Sequence, residues 1–247
     1  MPLDLGQNPG MVETGAQRVG ILTPMVSELA PFQERIELVE DGPFHRGKVG
    51  GTEVVVMLTT MGMGPAADAA AQIIETGVEH VIMVGVAGGI DAETVSIGQL
   101  ITPEAVIDRL TGESFRPAPT PGVTPQGKIE CGDELITDAP RLAMLTADGV
   151  IALDMETAAV ARVCEAAGVP WSVFRGISDF AGDPLIDAAF FAMAKPDGTM
   201  DPADLTAYLE ADPTRLPRLM ELAAGAGTAA ANAAMAAIDA IKAANPE

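Results

Sequence analysis

The sequence predicts an α/β fold in which helices flank a mixed or parallel sheet, and three observations carry that prediction. Short β-branched apolar runs at 18–22, 53–58, 81–85, 99–102 and 172–177 read as buried strands. Helix-like segments alternate with them. The 247 residues are 48% hydrophobic, enough for one substantial core, and no stretch is so poor in hydrophobes that it would resist packing.

Taken in order, residues 1–16 carry Pro, Gly and polar side chains and lack the basic start and continuous apolar run of a signal peptide. They are expected to form a loose tail ahead of a single domain over 17–247. After the strand at 53–58, the segment 65–76 places Pro65 in a plausible first helical turn. The strand at 81–85 runs into the glycine-rich turn Gly85-Val86-Ala87-Gly88-Gly89. Residues 108–126 are too irregular for a helix and too long for a tight turn, so a surface excursion is expected. The helix at 156–167 is stopped by Gly168 and Pro170. From 214 to 244, Ala, Leu and Met dominate, which predicts a closing helix, or a helix pair broken near Gly225 and Gly227.

Composition narrows the function. A formal net charge of -21 repels phosphate backbones and anionic lipid surfaces, so neither nucleic acid nor membrane is an expected partner. The apolar run at 81–90 is too short to span a bilayer, and the late Ala-rich stretch is interrupted by Asn232, Asp239 and Lys242. Cys131 and Cys164 imply no disulfide framework and fit a reducing cytoplasm. With His45 and His80 they show no metal-ligand spacing, and neither a metal nor a cofactor is expected.

Three distant segments each place a carboxylate beside a strand end: Glu28, Glu156 and Asp179. In an α/β sheet the strand C-termini converge on one crevice, so such acids can surround one small molecule. Taken singly, each has a structural explanation: Glu28 and Glu156 as first-turn acids favoured by a helix dipole, Asp179 as a turn or cap former.

The segments Gly85-Val86-Ala87-Gly88-Gly89, Asp154-Met155-Glu156-Thr157-Ala158-Ala159 and Arg175-Gly176-Ile177-Ser178-Asp179 resemble, in order and spacing, the signatures of the purine and uridine phosphorylase superfamily. Similarity is closest to its methylthioadenosine/S-adenosylhomocysteine nucleosidase branch. That resemblance implies a single domain with a mixed, partly barrel-like sheet, active as a homo-oligomer, a dimer being favoured. It also implies hydrolysis of the N-glycosidic bond of a purine nucleoside, with Met155 and Glu156 under the sugar and Asp179 protonating the leaving base. Glu28 would activate water, and Arg175 would help hold that water and its glutamate. Val86, Ala87, Gly88, Leu135, Ile136, Ser178 and Met63 would surround base and sugar, Met63 having simple core filling as its alternative.

The branch's phosphate-using relatives need cationic and hydroxyl groups for their nucleophile. Here Thr23-Pro24-Met25 has no arginine, Met83 stands where an arginine would precede the glycine turn, and Ala87 stands where a threonine would bind the anion. Phosphate in an acid-lined pocket without cations would carry a large desolvation cost, so water is favoured. Phosphorolysis, with a neighbouring subunit supplying a cation such as Arg46, is the alternative. A non-catalytic nucleoside-binding protein of the same fold is another. The latter is motivated by Val86 in place of a serine and by Leu135 in place of a stacking aromatic, for which Phe115 is a candidate substitute or merely a loop anchor. Base identity and the group on the sugar's fifth carbon stay open. Residues 183–218 have no counterpart in the family pattern, and the substrate's far end is a candidate to touch them.

Overall fold

The computed structural model describes residues 18–186 and 188–245, so the expected tail at 1–16 lies outside the described residues. The chain opens with β1 (Arg18–Thr23), α1 (Val26–Gln33), β2 (Val39–Asp41), β3 (Phe44–Val49), β4 (Thr52–Leu58), α2 (Met63–Glu75) and β5 (His80–Gly89). Next come β6 (Leu100–Ile101), β7 (Ala105–Asp108), β8 (Ser114–Phe115), β9 (Lys128–Cys131), α3 (Ala139–Ala147), β10 (Val150–Asp154), α4 (Thr157–Ala167) and β11 (Trp171–Phe180). It ends with α5 (Ala188–Ala192), α6 (Pro202–Ala211), the 3-10 turn Pro213–Arg215 and α7 (Leu216–Ala244).

The sheet is mixed, and β5 is its hub. Along one edge β5 takes parallel β11 over most of its length. Its other edge pairs first with parallel β1 and then, at Gly88 and Gly89, with antiparallel β10. Beyond β1 lie β4, β3 and β2; beyond β10 lie β9, β7 and β8. This branching gathers the C-terminal ends of β1, β5, β10 and β11, the functional consequence of the topology.

Apolar residues on the two faces of these strands make two cores. One packs Ala66, Ala69 and Ile73 of α2 and Ala158 to Ala161 of α4 against β5 and β11. The other packs Leu29 and Phe32 of α1 and Ala233, Ala234, Ala237 and Ile241 of α7 against β1, β4 and β5. Burying a leucine-sized side chain contributes about 1.5–3 kcal/mol, so these faces fix which helix covers which side. The alanine face brings α7 very close to the sheet: a Cβ on Gly176 of β11 would lie 2.2 Å from the Ala229 carbonyl oxygen. Only glycine fits there.

Gly225 and Gly227 do not break α7, which runs unbroken for 29 residues and gives the single-helix form of the expectation. α4 ends at Gly168, whose φ of 68° supplies the left-handed cap that glycine favours. The excursion at 108–126 is irregular apart from β8. Phe115 in it is 3% exposed, lies under the Arg162 guanidinium at 5.4 Å and anchors the loop; it does not reach the cavity described below. Cys131 and Cys164 are free and buried. Among the described residues, no helix is long and apolar enough to cross a membrane.

Candidate active site

Each candidate acid is placed by a local feature of the chain. Glu28 sits in the first turn of α1, and its Oε2 accepts a hydrogen bond from the Met25 amide at 2.7 Å, closing the helix start. Its Oε1 accepts from the Val86 amide, also at 2.7 Å, so the glycine turn after the core of β5 and the end of β1 grip one carboxylate. Burial pushes Glu28 up to about 8, against the pull of Arg175 and of both amides.

Glu156 precedes α4, and its Oε1 accepts from the Gly62 amide at 3.0 Å. Burial raises it to about 7, opposed by Arg175 and reinforced by Asp154. Asp179 follows a bulge in β11, where the register with β5 shifts between Ile177 and Asp179. A bulge re-aims the side chain that follows it, and here the carboxylate comes over Gly88, where a Cβ would lie 3.0 Å from Oδ1. Burial raises Asp179 to about 6, with the Ser178 hydroxyl opposing and Asp183 adding to it.

Arg175 is fully buried beneath these acids. Its Nε and Nη2 donate to Asp154 Oδ2 at 2.9 and 2.8 Å, and Nη2 also reaches Glu156 Oε2 and Thr157 Oγ1, both at 3.1 Å. Burial works against its charge, but Asp154, Glu156 and Glu28 outweigh that and hold it above the ordinary arginine value. Its Nε and Nη2 are taken up by Asp154, Glu156 and Thr157, and Glu28 acts on it through charge without a hydrogen bond. Its Nη1 is buried and has no hydrogen-bond partner. A Cβ on Gly85 would lie 2.3 Å from Glu28 Oε1 and 2.5 Å from Arg175 Nη1, so both groups press on the space that glycine leaves open.

A cavity of about 710 Å³ joins these elements. Glu28, Glu156 and Asp179 line it together with Val86, Ala87, Gly88, Met155, Ser178, Leu135 and Ile136. Arg175 lies behind the wall. Met63 does not line the cavity. Gly62, at a φ of 108°, turns the chain into α2, which carries Met63 onto the core and leaves Met61 at the cavity instead.

Several residues at the site escaped sequence reasoning. Asp154 accepts the Cys131 thiol at 2.6 Å and the Thr157 hydroxyl besides Arg175. A buried arginine at Arg175 requires such counter-charges, and Asp154, beside Met155-Glu156, was the nearest. Arg109 also lines the cavity, with its Nε on Glu130 at 3.0 Å and Nη1 on the Glu134 carbonyl at 2.6 Å. Arg46 is occupied by Asp41 at 2.6 Å. The unassigned segment at 183–218 proves to roof the cavity through α5, α6 and the start of α7.

A sheet whose strand ends converge on a deep cavity, with three raised carboxylates and a neutralised arginine, defines a protein of acid–base chemistry on a small molecule. A family model described as the phosphorylase superfamily matches residues 18–126 and 122–195, and the chain belongs to that superfamily. It is similar to the 5'-methylthioadenosine/S-adenosylhomocysteine nucleosidase of Bacillus thuringiensis (strain Al Hakam), 25% identical over 202 residues that cover 67% of this chain and 87% of that one. The nucleosidase of Bacillus cereus (strain AH187) gives the same figures. Among solved structures, the 5'-methylthioadenosine/S-adenosylhomocysteine nucleosidase from Neisseria meningitidis superposes with a TM-score of 0.69 at 22% identity, covering 92% of this chain and 99% of that one. The futalosine hydrolase of Helicobacter pylori strain 26695 superposes with a TM-score of 0.66 at 20% identity, covering 93% and 97%. Both share the fold.

Proposed function

We propose that the protein is a purine nucleosidase that hydrolyses the bond between base and ribose. The carrying observation is that Glu28, Glu156 and Asp179 line one cavity while the nearest buried cation, Arg175, is engaged by Asp154 and Glu156. The similarity to relatives named as 5'-methylthioadenosine/S-adenosylhomocysteine nucleosidases supports the same reading.

Glu28, raised to about 8, is a strong base once ionised and takes a proton from the attacking water. Arg175 Nη1, unpartnered beside it, supplies a fixed positive field for the developing hydroxide. Glu156 accepts the sugar hydroxyls, with Met155 packed under the ring, and its charge favours the cationic character that the anomeric carbon gains as the bond breaks. Asp179, raised to about 6, retains its proton more readily than an ordinary aspartate and gives it to the five-membered ring of the leaving purine. Val86, Ala87, Gly88 and Ser178 border the sugar and base, and Leu135 and Ile136 border the base edge.

Phosphate as nucleophile is disfavoured by the same geometry. Among the described residues, the arginine on the cavity wall is Arg109, and Glu130 already holds it. The test is a panel of adenosine, inosine, guanosine and 5'-methylthioadenosine in phosphate-free buffer, with free base followed by chromatography. Base release from at least one member is expected. Release only when phosphate is added, with ribose-1-phosphate as product, replaces the reading with phosphorolysis, and no release in either buffer refutes it.

A further inference from the structure

Residues Lys195-Pro196-Asp197-Gly198 form a tight turn in the segment that roofs the cavity, and their chemistry makes it stiff. Pro196 presets its own φ, and Gly198, at a φ of 80°, takes the left-handed position that closes the turn. The Gly198 amide donates to the Lys195 carbonyl at 2.9 Å, and the Lys195 amide donates to the Thr199 carbonyl at 2.7 Å. The Asp197 carboxylate accepts the Thr199 amide at 3.0 Å and the Thr199 hydroxyl at 2.7 Å. None of these bonds uses the backbone carbonyls of the two central residues, Pro196 and Asp197.

Both carbonyls are taken by the walls of the active site. The Asp197 carbonyl accepts from the Val26 amide at 3.0 Å, and the Pro196 carbonyl accepts from the Met61 amide at 2.7 Å. Val26 opens α1 and Met61 lies just ahead of α2, so two adjacent carbonyls of the roof hold the entries to two helices. Each tie sits beside the backbone that carries a carboxylate. The Val26 amide shares a rigid peptide plane with the Met25 carbonyl, which accepts the Glu28 backbone amide at 3.0 Å. The Met25 amide in turn holds Glu28 Oε2 at 2.7 Å. On the other side, the Met61 amide is followed by the Gly62 amide, which holds Glu156 Oε1 at 3.0 Å.

The entry to α2 is also strained. Thr60 has a φ of 65°, the one positive value at a non-glycine position among the described residues, and a β-branched side chain disfavours it. Such a conformation persists only where its surroundings impose it. Here the Thr59 amide is tied to the Thr23 carbonyl at 2.8 Å on one side of Thr60, and the Met61 amide is tied to Pro196 on the other. The strained residue thus lies two positions from the amide that orients Glu156.

We propose that Pro196 and Asp197 are positioning residues for the reaction: their carbonyls clamp the entries of α1 and α2 and so set where Glu28 and Glu156 stand. This rests on the nucleosidase reading for what the two acids do, and adds that the roof fixes them from outside the cavity. Neither Pro196 nor Asp197 lines the cavity, so both act through the clamp.

Val26→Pro removes the donor to Asp197 and little else. Val26 is the first residue of α1, where proline is favoured, and Met25 before it already has the extended backbone, φ -122° and ψ 153°, that a following proline requires. With the best nucleoside of the panel, kcat should fall at least about tenfold while KM stays within about threefold, because a displaced base slows the chemical step and leaves the sugar's partner in place. A strap that only stabilised the fold would lower Tm and leave the kcat of the folded enzyme unchanged. A smaller fall in kcat, or a loss carried by KM, overturns the proposal. Asp197→Ala loosens the turn from outside the cavity and tests both ties without turnover. Amide hydrogen exchange followed by NMR should quicken at least about tenfold at both Met25 and Gly62, and a smaller acceleration at either amide also overturns the proposal. If the parent cleaves no nucleoside, faster exchange at both amides strikes the hydrolytic reading and leaves the clamp standing.

Discussion

Replacing Arg175 by methionine keeps most of the side-chain volume and removes the cation that three buried carboxylates share. Arg175 is wholly buried, Asp154 lies 2.8 Å from it at 1% side-chain exposure and Glu156 3.1 Å at 5%, so solvent offers little screening. Breaking a buried pair by removing one partner costs about 3–5 kcal/mol. In a chain of this length each kcal/mol moves Tm by about 2–4 °C, so the variant should melt roughly 6–20 °C below the parent near neutral pH. The deficit should also depend on pH, and its sign follows from Glu28 and Glu156. Their folded values, about 8 and about 7, stand above the ordinary glutamate value of about 4.5, so the folded state holds more protons than the unfolded one between those limits. Stability contributed by these groups is complete below about 4.5 and is lost as pH rises through their folded values, by about 1.4 kcal/mol per pH unit for each proton of difference. Without Arg175 both values rise further, so the loss continues to higher pH. Thermal denaturation followed by circular dichroism near pH 5 and near pH 8.5 reads both effects. A Tm gap that is the same at both pH values, or below about 3 °C at the higher one, would show that the carboxylates do not depend on this cation.

Gly85→Ala places a methyl group 2.3 Å from Glu28 Oε1 and 2.5 Å from Arg175 Nη1, so it should lower kcat/KM at least about 100-fold through misplacement of the base; activity within threefold of the parent excludes that role. With Glu28 near 8 and Asp179 near 6, kcat/KM should follow a bell with limbs close to those values. Asp179→Asn should lower kcat/KM about 100- to 10,000-fold and leave a residual rate that climbs with pH and levels off above about 8, and a surviving limb near 6 would assign that titration elsewhere. Gly176→Ala pushes a methyl onto the Ala229 carbonyl at 2.2 Å, so urea unfolding should show a loss of at least about 1–3 kcal/mol, whereas an unchanged midpoint would mean that α7 is free to shift.

Much of the frame was legible because its signals are local. The runs at 53–58 and 172–177 became β4 and β11, and Pro65 and Gly168 marked the two ends of helices that packing then confirmed. Glu28, Glu156 and Asp179 each follow a strand, but their strand-end positions alone favoured structural roles; the resemblance to the superfamily's signature segments singled them out, and the structure brings them to one cavity. What the sequence hid depends on partners distant in the chain. Asp154 is unremarkable until the buried charge of Arg175 is seen against it, and Met61 displaced Met63 because the turn at Gly62 rotates α2 by its own geometry. The β2–β3 hairpin has one strand exposed throughout, so it lacks the buried alternation that betrays a strand. α6 buries no residue fully, which left 183–218 without a periodic signal even though it roofs the site.

β11 runs from Trp171 through the core and delivers Arg175, Ser178 and Asp179 within five residues, whereas the cavity's outer roof hangs on a single excursion that begins after Phe180. Those three residues are consequently held by a strand paired with β5 over nearly its whole length, where almost any change threatens folding. In that roof α6 buries no residue fully. A substitution on the roof therefore meets fewer buried neighbours than one in β11, whose first eight residues are buried.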